Sequence, residues 1–281
     1  MNRENYRQSL KKIRHVALDL DGTIYKGNTL FDFTPDFMQK LDSLGIGYTF
    51  LTNNSSRSVR EYLDKLHGLG LAATPDQVYT SALATISYLR TDRPALQRLF
   101  IFGTPGLKLE FEQAGFTVVA ENYRDEPDAV IVGFDTTMTY HRLCMAAYWI
   151  KQRKPFIATH PDLVCPTDQP TVLVDCGSIC AALEMAAGIA PDKVLGKPDP
   201  NMLKGILERH GLQPYELAMV GDRLNTDMAM ARLSGAFGVL VLTGESTAQD
   251  AAAIPQSPDL ILPSVKELGE LLVESRNDKA L

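Results

Sequence analysis

The chain has 281 residues, 45% of them apolar, and a formal net charge of −6 at pH 7. That length accommodates one large domain or two ordinary ones, with the apolar content of a soluble globular protein. No apolar run reaches the roughly 18 residues of a membrane-spanning helix, and no Lys/Arg block supplies counter-charge to a nucleic-acid backbone, so neither a membrane nor a nucleic acid is expected as a partner.

In chain order, the apolar run 15–18 is buried to its end and reads as a central strand, followed at once by the glycine turn of Asp19-Leu20-Asp21-Gly22-Thr23. Thr34-Pro35-Asp36 reads as a cap with a first-turn proline. Phe37, Leu41 and Leu44 then line one helix face, which Gly45 ends. A strand over 46–52 runs into Thr52-Asn53-Asn54-Ser55-Ser56, and helical stretches follow over 58–66 and 83–89. Strands over 99–102, 129–132 and 156–158 alternate with helices over 107–114 and 143–151. A helix over 201–209 then precedes strands at 217–220, 239–242 and 260–262 and a closing helix over 265–273. This alternation is the signature of βαβ units and a parallel sheet, an α/β fold. Residues 82–184 read as a smaller α/β domain inserted into a core made of 1–81 and 185–281. Residues 1–12 are polar, without the apolar stretch of a secretory signal, and a cytoplasmic location is expected. Cys144, Cys165, Cys176 and Cys180 show no Cys-x-x-Cys pair or zinc spacing and read as small packing residues in a reducing compartment.

Four segments carry chemistry. Side chains two apart on a strand point the same way, so Asp19 and Asp21 can project together at the strand's carboxyl end, where open α/β sheets bind ligands. Two carboxylates held close repel unless a cation or proton separates them, which suggests a divalent metal and one carboxylate free to react. A calcium loop does not fit, because glycine comes fourth and the twelfth residue is Leu30. Thr52 and the backbone N–H groups after it could hold an anionic oxygen, or form an ordinary turn. Lys197, between Gly196 and Pro198, is either well placed by a stiff loop or a solvated surface charge. Asp222 ends another buried strand, as a ligand or a helix cap, with Asp227 able to lie behind it.

Taken together, Asp-x-Asp-Gly-Thr, Thr-Asn, Lys-Pro and Gly-Asp-x-x-x-x-Asp resemble, in that order, the four motifs of phosphatases in the haloacid dehalogenase superfamily. Thr52-Asn53-Asn54-Ser55, Val132-Gly133-Phe134-Asp135, Gly196-Lys197-Pro198 and Gly221-Asp222-Arg223-Leu224-Asn225-Thr226-Asp227 are similar to the wording of its NagD-like and p-nitrophenylphosphatase-like branch. The resemblance runs nearly the full length. It implies a doubly wound, Rossmann-like core with an α/β cap inserted between the second and third motifs. It further implies that Asp19 is the nucleophile, forming an aspartyl-phosphate, and that Asp21 is the general acid/base. Thr52 and Lys197 would hold the phosphoryl oxygens, with Asn53 and Asn54 beside them. Asp19, the backbone carbonyl of Asp21, and Asp222 would bind Mg²⁺, with Asp227 a further or outer ligand. Dehalogenases of the superfamily lack a carboxylate two residues after the nucleophile, because halide leaves without a proton, so Asp21 favours a phosphate ester.

Elementary electrostatics agrees: a carboxylate attacking a phosphate dianion needs a cation between them, and Mg²⁺ prefers oxygen ligands. The implied cap would close over the site. Its candidate substrate-binding residues are His160, Asp162, Gly177 and Ser178, with Cys176 nearby, each of which also reads as a structural turn. Members of the branch act on nucleoside monophosphates, sugar phosphates, pyridoxal phosphate or aryl phosphates, and no residue here chooses among them. The expected activity is Mg²⁺-dependent hydrolysis of a small phosphorylated metabolite. The alternatives are transfer of the phosphoryl group to a second alcohol and a catalytically silent binding protein. A homodimer through the cap is the assembly such relatives suggest.

Overall fold

The computed structural model describes residues 3–165 and 171–277. The chain divides into two compact units. One comprises the residues up to Leu51, Leu66–Val78 and those from Leu203 onward; the other comprises Thr52–Lys65 and Tyr79–Met202.

The first unit carries a sheet whose strands lie in the order Leu260–Leu262, Phe237–Val241, Leu217–Gly221, His15–Asp19, Gly47–Thr52, with Val78 opening the outermost strand. The pairings from Leu260–Leu262 across to Gly47–Thr52 are parallel. His15–Asp19, Leu217–Gly221 and Phe237–Val241 are buried along their whole length, as strands covered on both faces must be, which is why they read as unbroken apolar runs. Leu18 lies opposite both Val220 and Phe50, and Asp19 opposite Leu51, so these strands end at one level. From His15–Asp19 the chain steps outward on one side to Gly47–Thr52, and much later returns on the other side as Leu217–Gly221. The order therefore reverses between His15–Asp19 and Leu217–Gly221, the switch point at which such sheets open a ligand crevice.

Helices Thr34–Ser43 and Arg3–Lys12 both pack on the closing helix Val265–Arg276, whose Val265, Leu268 and Leu272 form a buried stripe at helical spacing. Thr34 is not the cap that its sequence predicts. Phe33 occupies the cap position, and the Thr34 hydroxyl donates to the Ile24 carbonyl at 2.8 Å, tying the helix to the turn after the first strand. Polarity in the opening residues conceals the helix Arg3–Lys12, although Leu10 and Ile13 are buried.

His15, at the start of the central strand, is buried, pairs through Nε2 with Thr49 Oγ1 at 2.8 Å and stacks on His210. Burial first, then the neighbouring His210, pushes its pKa down to about 3. The unfolded chain then binds a proton that the folded chain refuses. This contribution to stability is present above about pH 6.5 and is lost as pH falls toward 3, by roughly 2 kcal/mol at pH 5. In urea unfolding at both pH values, His15→Gln should flatten the acid limb by about that amount. An unchanged limb would show that the histidine does not control it.

The second unit has its own parallel sheet, in the order Lys193–Val194, Phe156–Ala158, Ala129–Val132, Arg98–Phe102, Thr117–Val118. Alternation sends Phe100, Phe102, Val130 and Val132 to one face, against helices Tyr140–Lys151 and Cys176–Ala187. Leu99, Ile101, Ala129 and Ile131 go to the other, against Ser81–Asp92 and Pro105–Gln113. The four-residue spacing of Cys176 and Cys180 allows a shared helix face, which the helix Cys176–Ala187 buries together with Ile179 and Leu183. Its start is marked by Asp175, which caps the Cys176 N–H. Cys176 and Cys180 are free thiols in the core. Among the described residues no helix is long and apolar enough to cross a membrane.

Candidate active site

Three carboxylates meet at the carboxyl edge of the first unit's sheet: Asp19, Asp222 and Asp227, each offering an oxygen within 4.8 Å of the others. Asp19 is the last residue of its strand and Asp222 follows directly on Leu217–Gly221, so the switch point brings them together. Asp227 arrives by a single π-turn, Leu224–Met228, which swings it back over the strand end. There its Oδ2 accepts the Arg223 N–H at 3.1 Å. Asp227 is fully buried, Asp222 is 3% exposed and Asp19 8%. The trio thus opens toward Asp19, the member a ligand can reach.

The surrounding backbone is shaped to fit. Gly22 has φ +83°, and a Cβ there would lie 2.6 Å from Asp222 Oδ2; Gly244 presses on the same oxygen and Gly221 on Asp227, with no room for side chains. The Glu245 N–H donates to Asp222 Oδ2 at 2.7 Å. Asp222 Oδ1 is buried and has no hydrogen-bond partner among the described residues. Burial, then the charges of Asp19 and Asp227, hold the Asp222 carboxyl well above the usual carboxylate range. At an effective dielectric of 20, two charges 4 Å apart repel by about 4 kcal/mol. An all-oxygen set of crowded carboxylates with one buried oxygen unsatisfied fits a hard divalent cation such as Mg²⁺.

The Asp21 carboxylate is not one of this trio. The strand ends at Asp19, so two-residue alternation does not extend to Asp21. Its side chain is exposed, and its Oδ2 accepts the Gly27 N–H at 3.3 Å.

In the second unit, Thr52, Asn53 and Lys197 are buried. Thr52 Oγ1 accepts the Asn54 N–H at 3.2 Å, and Asn54 Oδ1 accepts from Ser56, so the loop turns on its own side chains. Asn53 grips the Lys197 peptide from both sides, accepting its N–H on Oδ1 at 2.6 Å and donating Nδ2 to its carbonyl at 3.0 Å. The same Nδ2 lies 3.2 Å from both oxygens of Asp162. Asp162 therefore sits in the Lys197 network, a contact spanning 109 residues that no motif signals.

Of the other cap candidates, His160 is fully buried, facing Asp162 and Asp175. Ser178 donates its hydroxyl to the Leu163 carbonyl at 2.7 Å. The Gly177 N–H donates to the Asp162 carbonyl, and a Cβ on Gly177 would run into the Pro161 carbonyl.

Comparison with known proteins shows the family. A haloacid dehalogenase-like hydrolase family model matches residues 16–117, and a second HAD-hydrolase-like model matches 194–268. An acid sugar phosphatase of Staphylococcus aureus is 31% identical over 265 residues, covering 94% of this chain and 99% of the relative. Among solved structures, a 4-nitrophenylphosphatase from Thermotoga maritima superimposes with TM-score 0.87 at 38% identity, over 93% of this chain and 98% of its own. NagD from E. coli K-12 does so with TM-score 0.81 at 30% identity, over 91% and 98%. The chain belongs to the haloacid dehalogenase-like hydrolases, in their NagD-like branch, and is an enzyme of the phosphatase type.

Proposed function

We propose that the chain hydrolyses small phosphomonoesters, sugar or aryl phosphates foremost, in an Mg²⁺-dependent reaction through an aspartyl-phosphate on Asp19. The observation that carries the reading is the trio of Asp19, Asp222 and Asp227 at the sheet's switch point, with Asp19 outermost. The substrate class follows from the activities named for the relatives. Residues 82–184 are proposed as the cap over a core of 1–81 and 185–281, the partner as a small phosphorylated metabolite, and the location as cytoplasmic.

Mg²⁺ would be held by the carboxylates of Asp19 and Asp222, the backbone carbonyl of Asp21, and Asp227 as a further or outer ligand. When bound it offsets the charge of the carboxylates and the incoming dianion. The Asp19 carboxylate attacks phosphorus and the ester oxygen departs, taking a proton from Asp21. The Asp21 carboxylate then removes a proton from the water that attacks phosphorus, which releases inorganic phosphate and regenerates Asp19. The exposed position of Asp21 suits exchange with a leaving group and with water. Thr52 and Lys197 hold the phosphoryl oxygens; removing one such stabilising group costs about 3–4 kcal/mol in other enzymes.

The test is turnover of p-nitrophenyl phosphate and a panel of sugar phosphates and nucleoside monophosphates, with Mg²⁺, with EDTA, and with Mg²⁺ restored. The expected result is release of inorganic phosphate that EDTA stops and Mg²⁺ restores. No release from any ester with Mg²⁺ present would overturn the reading.

A further inference from the structure

His160 follows the strand Phe156–Ala158 and is completely buried. Its Nδ1 lies 3.6 Å from Asp162 Oδ2, and its Nε2 lies 3.4 Å from Asp175 Oδ1. Neither ring nitrogen makes a hydrogen bond among the described residues, so both are ion-pair contacts: a neutral imidazole would turn a lone pair toward one carboxylate, whereas the imidazolium is attracted to both.

Two effects oppose that charge. Burial disfavours it, and His160 lies against the N-terminus of the helix Cys176–Ala187, the positive end of its dipole. The negative groups around the ring outweigh them, counting Cys176 as a thiolate, which, against burial, the Cys180 hydrogen bond and His160 favour. Burial lowers the His160 pKa, but Cys176, Asp162 and Asp175 together bring it up to about 9. Lys197, a cation on the loop beside His160, acts on Asp162. That loop is in intimate contact: Gly196 has φ +71°, and a Cβ there would lie 2.5 Å from the His160 Cβ and 2.8 Å from Asn53 Oδ1.

The contacts form a continuous path. His160 faces Asp162, Asp162 accepts from Asn53, and Asn53 brackets the Lys197 peptide. We propose that His160 is a positioning residue. Paired with Asp175 through one ring nitrogen and Asp162 through the other, it fixes the carboxylate that holds Asn53, and through Asn53 the backbone of Lys197. The consequence for catalysis rests on the phosphatase reading of Lys197; the network itself does not.

Two measurements test this in the full-length protein. The first is amide hydrogen exchange at Lys197, followed by NMR in wild type and His160→Gln. Exchange should quicken by about ten-fold, the effect of losing one buried hydrogen bond, while the strand Ala129–Val132 stays protected. Unchanged exchange at Lys197 overturns the proposal. The second is the pH dependence of kcat/KM for p-nitrophenyl phosphate. Wild type should lose activity as pH rises through about 9, and His160→Gln should lack that limb. Asp175→Asn, which can still cap its helix, should move the limb to lower pH by removing a negative partner. A limb that stays put in Asp175→Asn overturns the catalytic half. If His160→Gln does not fold, NMR titration of the ring in wild type and Asp175→Asn decides: a ring neutral at pH 7 in wild type sinks the proposal. If wild type turns over no phosphate ester, the phosphatase reading fails while the exchange result still judges the network.

Discussion

Asp19→Asn is expected to reduce p-nitrophenyl phosphate turnover by at least about ten-thousand-fold, the range seen when a covalent nucleophile is removed from other enzymes. The amide is close in size to the carboxylate but does not form the acyl phosphate. The residual rate would come from the rest of the site acting on water. Asp19 is the outermost of three mutually repelling carboxylates. Its neutralisation should therefore leave folding intact or slightly improved when metal is withheld, so lost turnover will not reflect lost structure. Steady-state kinetics paired with a melting curve checks both. A variant that keeps more than a tenth of wild-type kcat would remove Asp19 from the chemistry.

Asp222→Asn should separate metal binding from stability, with opposite signs. In the metal-free protein the Asp222 carboxyl is held above its ordinary range by burial, then by Asp19 and Asp227. The folded state thus keeps a proton that the unfolded chain has released. Such a group favours folding at low pH, and its contribution is lost as pH rises from the ordinary carboxylate range through the folded-state pKa. Without metal, wild type should therefore lose stability from this source on going from about pH 5 to about pH 8, and Mg²⁺ should raise its Tm most at the upper end. Asp222→Asn removes one of the repelling charges. It should melt higher than wild type in EDTA near pH 8, on the order of 1–3 kcal/mol more stable, and gain little from Mg²⁺. Calorimetry in EDTA and in Mg²⁺ at both pH values reads all four quantities. A variant that melts lower in EDTA, or retains the full Mg²⁺ shift, would contradict the account of the trio.

What the sequence displays and what it conceals divide along physical lines. The strands around Asp19 and Asp222 are legible because a parallel strand buried on both faces must be continuously apolar, and because each acidic residue stands directly at the end of such a run. The proximity of Asp227 to them is legible only as a spacing. The π-turn that brings it back depends on Gly221 leaving room for its carboxylate. Asp21 shows the limit of strand periodicity, since the alternation that would align it with Asp19 stops with the strand. Thr34 has a capping residue's identity, but its hydroxyl is taken by Ile24. The helix Cys176–Ala187 is hinted at only by the four-residue spacing of Cys176 and Cys180, which share its buried face, while its start is marked by the single carboxylate of Asp175. The link from Asn53 to Asp162 could not be read at all, because it joins loops that only the folded second unit brings together.

The central claim is that Asp19 carries the phosphoryl group. It is tested most directly in Asp21→Asn, where p-nitrophenolate leaves without an acid but water lacks its base, so the covalent species should accumulate. After a rapid acid quench and digestion, mass spectrometry should find the phosphoryl increment on the peptide containing Asp19, alongside a burst of p-nitrophenolate. A burst with the increment on another peptide, or with none, would contradict the account.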